Sequence, residues 1–258
     1  MGELDGKIAL VTGIGAGMGT AIAQAYAAAG ATVVGVDVDE AAGRRVMDGI
    51  GAPSSFLRGD VSAVAECEGM VEAVVASHGR LDVVVNNAGV TKSLGFFDVG
   101  EADWDRIYSV NAKGLFFVMQ AAAKAMRDGG GGGRIVNIAS IAGKGYRGTS
   151  NVAYAGTKGA VIAMTRIAAS QLARFGINVN AICPGVTRTA LFDQVIDELV
   201  ERLGGTRDEA EARAVRSIPL RRANEPADIA ALAVYLASEP ARNVTGQSWN
   251  VDGGLHWD

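Results

Sequence analysis

The chain is poor in the residues that most often carry chemistry. Its two histidines, His78 and His256, lie far apart in 258 residues, which excludes a histidine-rich metal centre. Its two cysteines, Cys67 and Cys183, each stand alone within an apolar pattern. They read as small core residues rather than as metal ligands or a disulfide, as suits a reducing compartment. There are only 5 prolines, and 49% of residues are hydrophobic, so the chain can bury a substantial core. Neither sign of charge dominates: 24 basic against 28 acidic residues give a formal net charge of -4, which argues against a general nucleic-acid binder. No apolar run is long enough to span a bilayer. The first residues, with Glu3 and Asp5 and no long apolar core, do not resemble a signal peptide. These absences lead us to expect a soluble, cytoplasmic protein with no nucleic-acid or membrane partner.

What is present is rhythm. Short β-branched runs at residues 7–12, 32–37, 55–59, 81–86, 134–139, 177–182 and 248–251 read as seven strands. Between them, alanine-rich stretches at 18–29, 40–49, 63–78, 101–127, 151–175 and 226–237 read as helices. Such alternation implies parallel strands joined by right-handed crossovers, hence an α/β, doubly wound, mostly parallel sheet with helices on both faces. Strands as uniformly apolar as Val83-Val84-Val85 fit a sheet covered on both sides. Nothing resembling a linker divides residues 1–258, and a single domain is expected. The five glycines at 129–133 read as a surface turn feeding a strand. Residues 187–221 break the rhythm, with charged helical segments at 193–203 and 208–216 between Pro184 and Pro219. An insertion there is expected either to cover a ligand as a lid or to form a static helical pair.

Thr12-Gly13-Ile14-Gly15-Ala16-Gly17-Met18-Gly19 connects the first strand to the first helix. Glycines at that point let the backbone turn tightly and bring a pyrophosphate against the helix N-terminus, where free N–H groups favour anions. The spacing is Gly13-x-x-x-Gly17-x-Gly19 rather than Gly-x-Gly-x-x-Gly. Asp37 closes the second strand, 20 residues beyond Gly17. A carboxylate there accepts hydrogen bonds from the ribose hydroxyls of adenosine and repels a 2′-phosphate. Ala16 and Val38 offer no basic group for such a phosphate, so NAD(H) is favoured over NADP(H).

Tyr154 and Lys158 stand four residues apart, on one face of the expected 151–175 helix. A fixed ammonium beside a phenol favours the phenolate, so the pair is expected to exchange protons with an alcohol or a carbonyl at a lowered pKa. Ser140 follows an apolar strand at its C-terminal end, where ligands of such sheets bind. Its hydroxyl fits a hydrogen bond to a substrate oxygen as well as a helix cap.

Taken together these residues resemble the short-chain dehydrogenase/reductase family over residues 7–254, nearly the whole chain. Thr12, Gly13, Gly17, Met18 and Gly19 match its cofactor turn. Asp60-Val61 looks like the pair at the adenine ring, and Asn86-Asn87-Ala88-Gly89 matches the segment closing the fourth strand. Asn111, Ser140, Tyr154 and Lys158 fall where the family places its four catalytic residues. Pro184-Gly185-Val186-Thr187, with Thr189, resembles the segment that holds the nicotinamide end. The resemblance implies a Rossmann-type domain and an NAD(H)-dependent oxidoreductase that needs no metal. It assigns Lys158 to the nicotinamide ribose and Asn111 to a water in a proton relay. It also implies a homotetramer built on the 101–127 and 151–175 helices. Two other possibilities compete: a 3-oxoacyl-[acyl-carrier-protein] reductase, disfavoured by Asp37 and Ala16, and a non-catalytic nucleotide-binding protein, disfavoured by four filled catalytic positions. The expected substrate is a small secondary alcohol, polyol or cyclic ketone, bounded by Val90, Ser93, Leu94, Ala142, Tyr146, Arg147 and the 187–221 insertion.

Overall fold

Strands with apolar side chains on both faces are stable only where both faces are covered, and the chain solves this by alternating strand and helix. A computed structural model describes residues 2–257, with the side chains of Leu191, Gln194, Glu198, Arg202 and Leu203 outside the description. In chain order the main elements are β1 (Ile8–Thr12), α1 (Gly17–Ala28), β2 (Thr32–Asp37), α2 (Glu40–Ile50), β3 (Ser55–Arg58), α3 (Val64–His78), β4 (Val83–Asn86), α4 (Glu101–Tyr108), α5 (Leu115–Asp128) and β5 (Gly133–Ile138). They continue with α6 (Val152–Leu172), β6 (Ile177–Pro184), α7 (Ala190–Leu203), α8 (Arg207–Ala214), α9 (Pro226–Ala237) and β7 (Ser248–Val251). The seven strands form one sheet in the order β3-β2-β1-β4-β5-β6-β7. Every ladder in it is parallel.

Because all strands point the same way, their C-terminal ends line one edge. The order reverses direction between β1 and β4, which opens a crevice at that edge. Alternate residues of each strand feed opposite cores. On one face Ile22, Ala23 and Tyr26 of α1 meet Ile229 and Ala233 of α9 over Ala9, Val11 and Val33. On the other, Val71, Val74, Val118 and Ala122 from α3 and α5 pack over Leu10, Val34 and Val84. The α7–α8 segment has a small core of its own, built from Phe192, Ile196, Ala210, Val215 and Ile218. Among the described residues no helix is long and apolar enough to cross a membrane.

One expected element is corrected. Residues 101–127 are not a single helix: α4 and α5 are separated by a widened π-type turn at Ser109–Gly114. Two tertiary contacts occupy that turn. A Cβ on Gly114 would lie 2.3 Å from the Val61 carbonyl oxygen, so the turn rests directly on the backbone after β3. Asn111, wholly buried, engages the backbone after β4. An extra residue in the turn lets both be met, as π turns commonly do near functional sites.

The fully buried Tyr26 ties α1 to α9 through its hydroxyl, which donates to the Ala233 carbonyl at 2.9 Å. Tyr26→Phe is expected to cost about 1 kcal/mol. For a chain of this size that is a fall of roughly 2–4 °C in melting temperature, read by calorimetry. An unchanged midpoint would mean that the hydroxyl contributes nothing to the packing of these two helices.

Candidate active site

At the glycine turn after β1, backbone approach is closer than side chains allow. Gly13 adopts φ +72°, and a Cβ there would meet Ala88 Cα at 2.7 Å. A Cβ on Gly19 would fall 1.9 Å from the Gly13 carbonyl oxygen. Asn87 locks the turn from the neighbouring strand, its amide donating to the carbonyls of Thr12 at 3.0 Å and Gly13 at 2.9 Å. The Thr12 hydroxyl in turn accepts from the N–H groups of Asn87 and Ala88, each at 3.1 Å. The ends of β1 and β4 are thereby stitched together at the crevice.

Asp37 braces the same turn from β2. Its carboxylate accepts from Gly15 N–H at 2.8 Å and from Asp39 N–H at 2.9 Å. The first turn of α1 has no side-chain cap from Ala16 and no acidic residue, so its N–H groups and positive dipole end remain available to an anion. Met18 packs on the α1 side of the core. Asp60 accepts from Ser62 N–H at 2.9 Å just beyond β3, and Val61 beside it is buried. These residues fit a dinucleotide: an uncapped helix end behind a glycine turn for the pyrophosphate, and a carboxylate at the next strand end for the ribose.

A second cluster of predicted site residues sits at the tips of β5 and β6. Ser140 ends the strand segment and caps a short helical turn, Ile141–Lys144, by accepting from Ala142 N–H at 3.1 Å. The same hydroxyl lies near enough to the Tyr154 phenol to favour its ionised form. Tyr154 lies in the first turn of α6, half-buried, its N–H donating to the N-cap Asn151 at 2.7 Å. Lys158, one turn later, is 3% exposed; its ammonium donates to the Ile138 carbonyl at 2.8 Å and lies 5.6 Å from the Tyr154 ring centre. Burial pushes the Lys158 pKa down to about 8, partly opposed by the neighbouring Cys183.

The expectation that Lys158 lowers the phenol pKa is corrected for this state of the protein. Burial raises Tyr154 above its ordinary value, and the Ser140 hydroxyl opposes that only in part. The cause is desolvation, and the Lys158 ammonium makes its 2.8 Å hydrogen bond to the Ile138 carbonyl, 5.6 Å from the centre of the phenol ring. Asn111 is held by the neighbouring backbone: its side-chain oxygen accepts from Val90 N–H and its amide donates to Val90 C=O, both at 2.8 Å. A longer contact of 3.4 Å joins it to the Thr157 hydroxyl.

Residues 184–189 complete the crevice from β6. Gly185 N–H donates to the Val251 carbonyl at 2.8 Å, and Val186 C=O accepts from Asn224 N–H at the same distance. The Thr187 hydroxyl bonds back to Gly185 at 3.2 Å. A Cβ on Gly17 would come 3.2 Å from the Thr189 methyl, so the nucleotide turn and this segment touch. Ser140, Tyr154 and Lys158 thus converge, with Asn111 and Gly89 behind them: a Cβ on Gly89 would lie 3.4 Å from Asn111 Oδ1 and 3.7 Å from Lys158 Nζ. The sequence did not single out Asn151, whose amide also donates to the Lys92 carbonyl at 2.8 Å. An Asn at the start of an alanine-rich run is a cap signal and could have revealed it.

A family model described as enoyl-(acyl carrier protein) reductase matches residues 13–256. A sorbitol dehydrogenase of Cereibacter sphaeroides and a galactitol 2-dehydrogenase of Agrobacterium fabrum are each 37% identical over 253 residues, 98% of both chains. A solved structure of 3-ketoacyl-(acyl-carrier-protein) reductase from Brucella melitensis, complexed with NADH, superposes with a TM-score of 0.88 at 33% identity, covering 98% of this chain and 99% of that one.

The buried ammonium gives this site a signature in stability. The Lys158 pKa of about 8 in the folded state lies below the 10.5 of an ordinary lysine, so between those values the unfolded chain binds the extra proton and stability rises with pH. Below that window the folded protein bears the full cost of the buried charge, on the order of 3 kcal/mol. Lys158→Met escapes the cost. Its melting temperature relative to the wild type is expected to be highest near pH 7 and to fall as the pH climbs from about 8 to 10.5. A difference that is flat across this range would contradict the buried-charge account.

Proposed function

The chain belongs to the short-chain dehydrogenase/reductase family and is an oxidoreductase acting on CH–OH groups, and from that premise we propose that it is an NAD(H)-preferring dehydrogenase of a small polyol or similar secondary alcohol. The observation that carries this is the convergence of Ser140, Tyr154 and Lys158 at the C-terminal strand ends, beside a glycine turn braced by Asp37. The cofactor would be held by residues 12–19, by Asp37 at the adenosine ribose and by Asp60 and Val61 at the adenine. Asn87, Ala88 and Gly89 would line its path, with Lys158 at the nicotinamide ribose and residues 184–189 at the nicotinamide end. A bound nicotinamide supplies the hydride chemistry, accepting or returning a hydride at the substrate carbon.

The proton is the protein's part. Ser140 donates to the substrate oxygen and holds it at the phenol, and Tyr154 transfers the proton between its own oxygen and that of the substrate. A phenol raised by burial is poised as the acid for carbonyl reduction. Alcohol oxidation asks for the phenolate, and bringing an ordinary phenol from about 10 to 7 takes roughly 4 kcal/mol, more for one that burial has already raised. Asn111 keeps Val90 and the following substrate-side residues in place.

Asp37 supports NAD over NADP, since its carboxylate repels a 2′-phosphate and Arg58, opposite it in the ladder, is paired with Glu66 at 3.3 Å. The names of the sorbitol and galactitol dehydrogenases support a polyol substrate. Residues 187–221 act as the lid over it, in the same domain as the rest of the chain. Exposed Phe116 and Ile167 on α5 and α6 support a homotetramer packed through those helices. A cytoplasmic location accords with two buried cysteines that form no disulfide. Reduction of an acyl-carrier-linked 3-ketone is favoured by one specific observation, the likeness to the Brucella melitensis reductase.

A panel of sorbitol, galactitol, simple secondary alcohols and a 3-ketoacyl thioester, read by nicotinamide absorbance with NAD(H) and NADP(H), separates these activities. Polyol turnover with NAD is expected; a clear NADP preference would overturn the role of Asp37. Tyr154→Phe is expected to lower kcat by about 10²–10⁴ while still binding NADH, and near-normal turnover would refute the proton-transfer assignment. Sedimentation is expected to give a tetramer that Ile167→Glu dissociates.

A further inference from the structure

Thr189 is the N-cap of α7, so residues 187–189 are the point at which the lid joins the body. Backbone bonds hold one edge of this segment, with Arg188 N–H donating to the Asn224 carbonyl at 2.9 Å. The Arg188 side chain holds the other. The Arg188 guanidinium lies 2.6 Å from Glu211 on α8, 3.1 Å from Glu225 at the N-cap of α9, and 5.3 Å from the centre of the Phe192 ring on α7. One residue therefore touches all three helices that follow β6.

Glu211 is shared with Arg207, 3.5 Å away, whose guanidinium also takes Asp197 at 2.7 Å and Asp193. The network thus closes α7 onto α8 as well. Next to Arg188, the Thr189 methyl packs against Gly17 of the nucleotide turn. A run of neighbours thus leads from that turn through Thr189 and Arg188 to α8 and α9.

We propose that Arg188 is a positioning residue of the hydride-transfer site, clamping α7, α8 and α9 so that residues 187–189 are ordered against the nucleotide turn before the cofactor arrives. This rests on the assignment of residues 184–189 to the nicotinamide end. Order established beforehand need not be created on binding, and affinity rises by the conformational entropy spared. Arginine is suited to the task because its planar fork reaches two carboxylates at once, where a lysine offers one point of charge. The clamp is also open to salt: the side chains of Arg188 and Glu225 are 39% and 61% exposed, so dissolved ions weaken it.

The test compares the full-length wild type with Arg188→Met, Arg188→Lys, Glu211→Gln and the Met/Gln double variant. NADH binding is titrated by fluorescence between about 0.05 and 0.5 M NaCl, alongside kcat and melting temperature. Arg188→Met is expected to weaken NADH binding about five- to twentyfold and to flatten its salt dependence, with kcat changed much less. Arg188→Lys recovers part of the loss, and the double variant binds NADH no worse than Arg188→Met alone, because the two residues act as one unit. A melting shift with unchanged NADH affinity, an undiminished salt slope or additive losses would overturn the proposal. If Arg188→Met does not fold, the wild-type salt titration and the Lys variant decide the same question. A wild type that binds no NADH would instead overturn the cofactor assignment itself, and is seen before any variant is made.

Discussion

The hydrogen bond from the Lys158 ammonium to the Ile138 carbonyl, at 2.8 Å in a wholly buried setting, is the interaction around which this protein is arranged. A charge in that position is costly, and the Ile138 carbonyl and the neighbouring Cys183 offset its burial only in part. The fold nevertheless places it at the meeting point of β5, β6 and α6, beside Tyr154. A protein built for stability alone would fill this space with an apolar side chain. That the cost is retained at the opening of the crevice is the strongest physical argument that the site is functional.

Holding one buried charge in register demands rigid surroundings, and a lattice of polar contacts supplies them. Asn137 links β5 to α6 by donating to Thr165 at 2.9 Å, and accepts from Asn86 of β4 at the same distance. These residues lie under the tips of the strands, next in sequence to Ile138 and to Asn87. Asn87 and Thr12 then join β4 to β1. The glycine turn after β1 and the Ser140–Tyr154–Lys158 cluster are thus two ends of one stitched edge. Both would move if any of these strands slipped.

The α7–α8 segment is coupled to that edge by different means. Its small apolar cluster reaches the body at Val186, Ala223 and Leu255, and charged side chains around Arg188 add a second contact. Apolar burial makes the pair of helices hold together, while half-exposed ion pairs join it to α9 at modest energy.

Much of this was legible from residue order. The ranges 226–237 and 248–251 coincide with α9 and β7, and strand–helix alternation gave the parallel, doubly wound sheet, because periodicity is a local property of the chain. Tyr154 and Lys158 were placed on one helical face by their spacing, and Ser140 at a strand end by the apolar run before it. The turn at Ser109–Gly114 was not legible, because its widening is forced by Val61 and Val90, residues remote in sequence. Arg188 was equally hidden, since its partner Glu211 lies 23 residues further on. The sequence by itself determined which groups meet at the crevice: a phenol, an ammonium, a hydroxyl and a strand-end carboxylate. Only the tertiary structure decided how they are charged and held, for pKa depends on burial and on where each hydrogen bond is spent. Neither quantity exists until distant segments pack against one another.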